Sequence, residues 1–424
     1  MSFTTYAGDD NELLSRTDEL IEKSRRGTVV INVVDDSDAV IPNALVSCHQ
    51  MRHAFLFGCN IYAFNSIGSE EENELYRNRF AELFNFATLG FYWRGYEREP
   101  GKPNYAGTEE VLSWCEQRGI VAKGHPLIWS NESGIPAWLP NEPDERMKLA
   151  KQRVSEIVGR FKNRIDIWDV VNEPIHMRAF SDTTGNTYIR APVKMLVGYV
   201  DDALRWANEA NPKATFIVNE FNIMSKADSA DRFYTLMETL KKRNAPFKAI
   251  GMQAHEPRTD RFPLANVLNT LNRFAKLGVS IHITEYSPTS DDQPITGYYR
   301  SGTWTEAEQA QYAEAFYKAC FSHPAVKAIT WWDLCDRRSW LKGGGMLRED
   351  LTPKPVYSTL KKLIHEEWHT QVEGKTDANG KITFPAFAGD YEIKASDASG
   401  RTVTVEVTVE ERCTNEICVR LPVA

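Results

Sequence analysis

The chain has 424 residues, 42% of them hydrophobic and 25% charged, with a formal net charge of −8. This balance is ordinary for a folded globular protein and excludes a disordered chain. The acidic surplus argues against nucleic acid or an anionic membrane as a partner, because both call for a basic patch, and the absence of a run of about 18 apolar residues argues against a membrane-spanning helix.

Met1 to Asp10 contain no basic segment followed by an apolar core, so no signal peptide is read; a cytoplasmic location is expected, or secretion if a leader has been lost. Asn11 to Arg26 read as one short helix with Leu13, Leu14, Leu20 and Ile21 as a narrow apolar stripe. Thr28 to Val34 and Ala44 to Met51 are β-rich runs joined by Asp35-Asp36-Ser37-Asp38 and Pro42-Asn43, as in a hairpin or a sandwich edge. From Phe55 the chain alternates apolar strands with amphipathic stretches eight times. The strand candidates are 55–59, 86–91, 121–129, 165–171, 215–219, 249–254, 279–284 and 328–332. Eight such units predict a closed (β/α)8 TIM barrel over residues 55–369, with its site at the C-terminal ends of the strands.

After Trp368 the composition shifts to short alternating strands and turn signals such as Asp377-Ala378-Asn379-Gly380. About 50 residues bury too little surface to fold alone. Residues 370–424 are therefore expected to build a small accessory β-sandwich with residues 1–54. The seven cysteines are scattered and odd in number, which reads as free thiols, and their spacing does not suit a zinc set. No metal or cofactor is expected, and the protein is expected to be a monomer.

Two strands decide the chemistry. Ile167-Trp168-Asp169-Val170-Val171-Asn172-Glu173-Pro174 and Ile281-His282-Ile283-Thr284-Glu285-Tyr286 are apolar runs that each deliver a glutamate to a barrel end. Two carboxyls on one rigid frame imply glycoside hydrolysis, in which one protonates the leaving oxygen and the other attacks or stabilises the sugar cation.

These motifs resemble those of family 10 glycoside hydrolases, the xylanase family. Gly124-His125-Pro126-Leu127-Ile128-Trp129 is similar to its Gly-His-Thr-Leu-Val-Trp strand, Asn219-Glu220-Phe221-Asn222 to its Asn-Asp-Tyr-Asn, and Gln253-Ala254-His255 to its Gln-Ser-His. Trp332, Asp336, Ser339 and Trp340, then Pro353-Lys354-Pro355-Val356-Tyr357, resemble the end of the family's barrel. The resemblance implies Glu173 as acid/base and Glu285 as nucleophile, with retention of configuration. It implies substrate-binding roles for His125, Trp129, Asn172, Asn219, Gln253, His255, Trp332 and Trp340. Trp331 should point the other way, into the helix layer.

Two departures stand out. The family's carboxylate two residues after the nucleophile, which orients the histidine, is replaced by Ser287, so the hydrogen-bond chain is expected to run through water or another acid. The family's second-strand Glu-Asn…Lys-Trp grip on the second non-reducing-side sugar becomes Gly90-Phe91-Tyr92-Trp93-Arg94-Gly95-Tyr96. Arg94 is either a substitute for the lysine or a structural salt bridge, and the aromatics are expected to narrow the cleft. A carbohydrate is the expected partner, with β-1,4-xylan or xylo-oligosaccharides as the leading substrate. The alternatives are an exo-acting or non-xylan β-glycosidase and an inactive carbohydrate-binding protein.

Overall fold

The structure, a computed structural model, describes residues 9–182, 190–255, 258, 260–296 and 301–422. Residues 1–8, on which the leader expectation largely rests, lie outside these, as do the last two residues of the 370–424 segment.

Eight short runs rich in Val, Ile, Phe and Ala are buried along most of their length, as strands covered on both faces must be. In order they are Leu56–Asn60, Phe86–Gly90, Val121–His125, Ile167–Asn172, Thr215–Glu220, Ala249–Met252, Ser280–Tyr286 and Val326–Trp331. Each pairs in parallel with the next, and the eighth returns to the first, closing a (β/α)8 barrel. Helices such as Glu70–Leu83, Pro143–Arg160, Val193–Ala210 and Glu306–Ser322 make the crossovers. Ser69 and Glu72 form a reciprocal capping box at the start of Glu70–Leu83. The third strand is broken: Pro126 has no N–H to give, and pairing resumes only at Ile128–Trp129. No helix among the described residues is long and apolar enough to cross a membrane.

The segment read as one N-terminal helix is two, Asp10–Ser15 and Thr17–Arg25, separated at Arg16. Leu13 of the first packs with Leu264, Leu268, Trp304 and Tyr312 on the barrel's flank. The two β-rich runs that follow do not form a hairpin. Arg26–Asp35 lies between Lys381–Phe387, antiparallel, and Thr414–Leu421, parallel. Leu45–His53 belongs to the facing sheet, between Gln371–Lys375 and Gly389–Ser396, with Thr402–Val409 outside. Val29, Ile31, Val46, Tyr391, Ile393 and Val419 fill the space between the sheets. Both ends of the chain thus meet in one core, which neither could bury alone.

The sandwich sits at the N-terminal end of the barrel, remote from the strand ends that carry the glutamates. Arg25 is the pin. Its buried guanidinium donates to the carbonyls of Phe321 (2.5 Å), His323 (2.6 Å) and Val326 (2.9 Å) and lies 3.6 Å from Glu411 of the sandwich. It also faces the rings of Phe55 and Phe321, within 4.8 and 5.0 Å of their centroids. Trp368 stacks on Phe321 at 4.2 Å and closes the barrel floor beside it.

Arg25→Ala removes the donor that these three carbonyls share, while Glu411 keeps Lys327 and Arg412, and the expected loss of unfolding free energy is about 3–5 kcal/mol. Urea unfolding followed by tryptophan fluorescence measures it. A loss below about 1 kcal/mol would show that the floor does not depend on this side chain.

Candidate active site

The barrel strands fix the two glutamates by their backbones first. The Glu173 N–H donates to the Asn219 carbonyl at 2.8 Å, and the Glu285 N–H donates to the Gln253 carbonyl at 3.0 Å. Glu173 takes a left-handed φ of 54° just past its strand, a turn that bends its side chain over the barrel mouth.

The carboxyls are then joined through three amides. Gln253 Nε2 donates to Glu173 Oε1 (3.0 Å) and lies 3.2 Å from Asn172 Oδ1. Asn219 Nδ2 donates to the same Asn172 oxygen (2.9 Å) and to Glu285 Oε1 (2.6 Å). The Thr284 hydroxyl donates to Asn219 Oδ1 at 2.6 Å, which fixes that amide's orientation. Trp129 completes the Glu173 side by donating its indole N–H to Oε2 at 3.0 Å. His255 completes the Glu285 side, with Nε2 2.9 Å from Oε2.

The environments drive the acids apart. Burial pushes the Glu173 carboxyl up to about 8, outweighing the Gln253 and Trp129 hydrogen bonds, with the charges of Glu220 and Glu285 adding to the rise. Burial also acts to raise Glu285, but His125, His255 and Lys123 outweigh it and hold this carboxyl below its ordinary value. At one pH the first is an acid and the second an anion, the pairing that glycoside hydrolysis needs.

Beneath them lies a buried ion cluster. Asp169 Oδ2 accepts from Lys123 Nζ (2.8 Å) and faces His125 Nδ1 (2.7 Å), while His125 Nε2 lies 3.8 Å from Glu285 Oε1. Burial works against the Asp169 charge, yet Lys123 and His125 keep its carboxyl below the ordinary value. Among the described residues no cluster of His, Cys, Asp or Glu is placed to hold a metal.

The acids open into a cleft of about 980 Å³, whose walls include Tyr62, Tyr92, Met177, Phe221, Trp332 and Trp340. Trp332 is buried and meets Tyr62 and His125 edge-on at 5.5 and 5.4 Å, whereas Trp340 is 59% exposed with its ring 4.8 Å from His255. Trp331 faces away, its indole N–H bonded to the Gly344 carbonyl at 2.9 Å. His125, Trp129, Asn172, Gln253, His255 and Arg94 all line this cleft.

Several sequence expectations need correction. Asn219 is fully buried and does not line the cleft; both hydrogens of its amide are spent on Asn172 and Glu285, so it positions the acids instead of touching sugar. The histidine's missing carboxylate is not rebuilt through water or another acid: the Ser287 hydroxyl itself lies 2.7 Å from His255 Nδ1. Arg94 pairs with Glu132 at 2.7 Å and donates to the Ile135 carbonyl, which is the salt-bridge reading. Of the second-strand aromatics only Tyr92 reaches the cleft; Phe91 packs on Trp168, and Trp93 is buried with its N–H on Glu97.

Sequence reasoning missed Lys123 and Asp169, although a period of two places them on the faces that carry His125 and Glu173. It also missed Asp333, a cleft carboxylate with φ 67° that accepts from Asn60 Nδ2 (2.9 Å) and the Trp340 N–H (2.8 Å). No local pattern marks that residue.

Barrel, strand-end carboxyls and cleft define a glycoside hydrolase. The chain matches the glycosyl hydrolase family 10 model over residues 49–363, and it belongs to that family. It is 30% identical over 320 residues to endo-1,4-beta-xylanase B of Thermotoga neapolitana, covering 72% of this chain and 88% of that protein. Endo-1,4-beta-xylanase 5 of Arabidopsis thaliana is 28% identical over 327 residues, 74% of this chain and 52% of the plant protein, so the chain spans about half of that relative. Among solved structures, xylanase 10B from Thermotoga petrophila RKU-1 in complex with xylobiose is similar with a TM-score of 0.62 and 27% identity, over 74% of this chain and 95% of that one.

The raised Glu173 carboxyl has a stability signature. Its folded-state value, about 8, stands above the ordinary 4.5, so between those limits the native state holds more proton than the unfolded state and stability falls as pH rises. Glu173→Gln removes this slope. The variant's Tm should gain on the parent's between pH 4.5 and 8, and a pH-independent difference in calorimetry would contradict the assignment.

Proposed function

We propose that this enzyme cleaves β-1,4-linked xylo-oligosaccharides by double displacement, with Glu285 as nucleophile and Glu173 as acid and then base. The observation that carries this reading is a pair of carboxyls tied together by Gln253, Asn172 and Asn219 in opposed surroundings, burial raising Glu173 and His125, His255 and Lys123 lowering Glu285. Glu285 attacks the anomeric carbon as Glu173 gives its proton to the departing glycosidic oxygen, leaving a glycosyl ester on Glu285. Glu173, now ionised, takes a proton from water, whose oxygen displaces Glu285 and restores the original configuration. Asn172, with Oδ1 occupied by two donors, turns its own N–H groups to the sugar 2-hydroxyl, a contact that strengthens in the transition state. The xylanase names of several relatives support the choice of sugar.

The roles are separable by leaving group. Glu173→Ala should retain activity on a dinitrophenyl β-glycoside, which needs no protonation, while Glu285→Ala should lose turnover on every substrate. Equal losses on the activated substrate would reject the roles.

The second strand bears on substrate length. Gly90 and the buried Phe91 offer no polar side chain where the family grips a second sugar, and each lost charged hydrogen bond is worth about 1.5–3 kcal/mol, roughly ten- to a hundredfold. kcat/KM should therefore rise little from xylobiose to xylohexaose, and polymeric xylan should be a poor substrate. A steep rise with length would show that other residues hold the second sugar.

A further inference from the structure

A second cavity of about 500 Å³ adjoins the cleft, within the size range of ligand pockets. Tyr62, Ser66, Tyr92 and Gly95 line both spaces, so the two share a wall and a rim. The cavity exists because side chains are missing. A Cβ at Gly95 would meet nothing within 4 Å, and one at Gly90 would press on the Tyr62 ring at 3.1 Å. Larger residues at these two positions would fill the space or displace the Tyr62 wall.

Its chemistry suits a sugar. Tyr62 and Tyr92 meet edge-on at 5.7 Å, and they supply the aromatic surface on which a sugar's apolar face rests. The Tyr62 hydroxyl is buried beside the Tyr92 side chain, so the ring, not the hydroxyl, is what this wall presents. Across the cavity stand Asn104, Thr108 and a fixed polar pair, with Asn65 Nδ2 donating to Glu110 Oε1 at 2.6 Å and Arg77 holding Asn65 Oδ1 at 2.6 Å. Among the described residues Glu110 is the one acidic or basic side chain in the lining, and a single carboxylate with no cation beside it there disfavours an anionic ligand.

We infer that this side cavity is a binding site for a neutral sugar branch on the substrate, seated against Tyr62 while the main chain lies in the cleft. The inference rests on the proposed xylo-oligosaccharide reading and deepens it. Binding energy that the second-strand residues no longer draw from a second backbone sugar is drawn from the branch, so branched oligosaccharides are the preferred substrates.

The test compares xylopentaose with isomers carrying one neutral pentosyl or one uronosyl branch on successive internal residues. At least one neutral-branched isomer should exceed the unbranched kcat/KM by threefold or more, with the matching uronosyl isomer below it. Gly95→Trp, which fills the rim, should lower the branched-to-unbranched ratio tenfold or more, a readout that cancels any general loss of folded enzyme. Glu110→Gln should raise the uronosyl-to-neutral ratio at least threefold. Titration calorimetry of the same panel on Glu285→Ala reads the preference without turnover. If unbranched xylopentaose is cleaved and no branched isomer is preferred, or the ratio ignores Gly95→Trp, the side cavity is not a branch site and the proposed function stands. If no member of the panel is cleaved or bound, the substrate reading falls and this inference falls with it.

Discussion

The relay of three amides between Glu173 and Glu285 is the constraint on which the site depends. A carboxylate ready to attack and a carboxylic acid poised to donate are incompatible neighbours in water, where both would ionise near the same pH. Here burial raises one while histidines and a lysine lower the other, and Gln253, Asn172 and Asn219 hold the two at a fixed offset. Each amide comes from a different barrel strand or its end. The closed hydrogen-bonded barrel therefore sets the distance between the acids before any side chain is considered.

Stability and chemistry are placed at opposite ends of that barrel. The floor is closed by Trp368, Phe321 and Arg25, and the sandwich that both chain ends build is fastened there through Glu411. The mouth carries what costs stability: a protonated acid near other carboxyls, the buried Lys123–Asp169 pair, and left-handed residues at Glu173 and Asp333. A barrel tolerates such a mouth because the floor and the helix layer supply the burial that offsets it.

Much of this was legible in the sequence. Strand runs with β-branched residues located all eight barrel strands, and an even spacing put His125 and Trp129 on one face even though Pro126 splits their strand. What a pattern does not carry is the direction of a side chain outside regular structure. The second-strand run left its strand at Gly90, so alternation no longer applied and Phe91 and Trp93 turned inward while Tyr92 stayed at the cleft. Asn219 looked like a sugar ligand by its motif, yet its strand position buries it under the acids. The Ser287 contact followed from the same limit: a hydroxyl reaches His255 Nδ1 because strand seven runs on to Tyr286 and delivers it there.

The central claim is that Glu285, among several cleft carboxylates, forms the bond to sugar. Incubation with a 2-deoxy-2-fluoro dinitrophenyl β-xylobioside slows the second step and leaves the ester in place, and peptide mass spectrometry then locates it. The account predicts one equivalent of label on the peptide containing Glu285. Label on Glu173 or Asp333 in its stead, or rapid turnover with inverted configuration and no label, would contradict it.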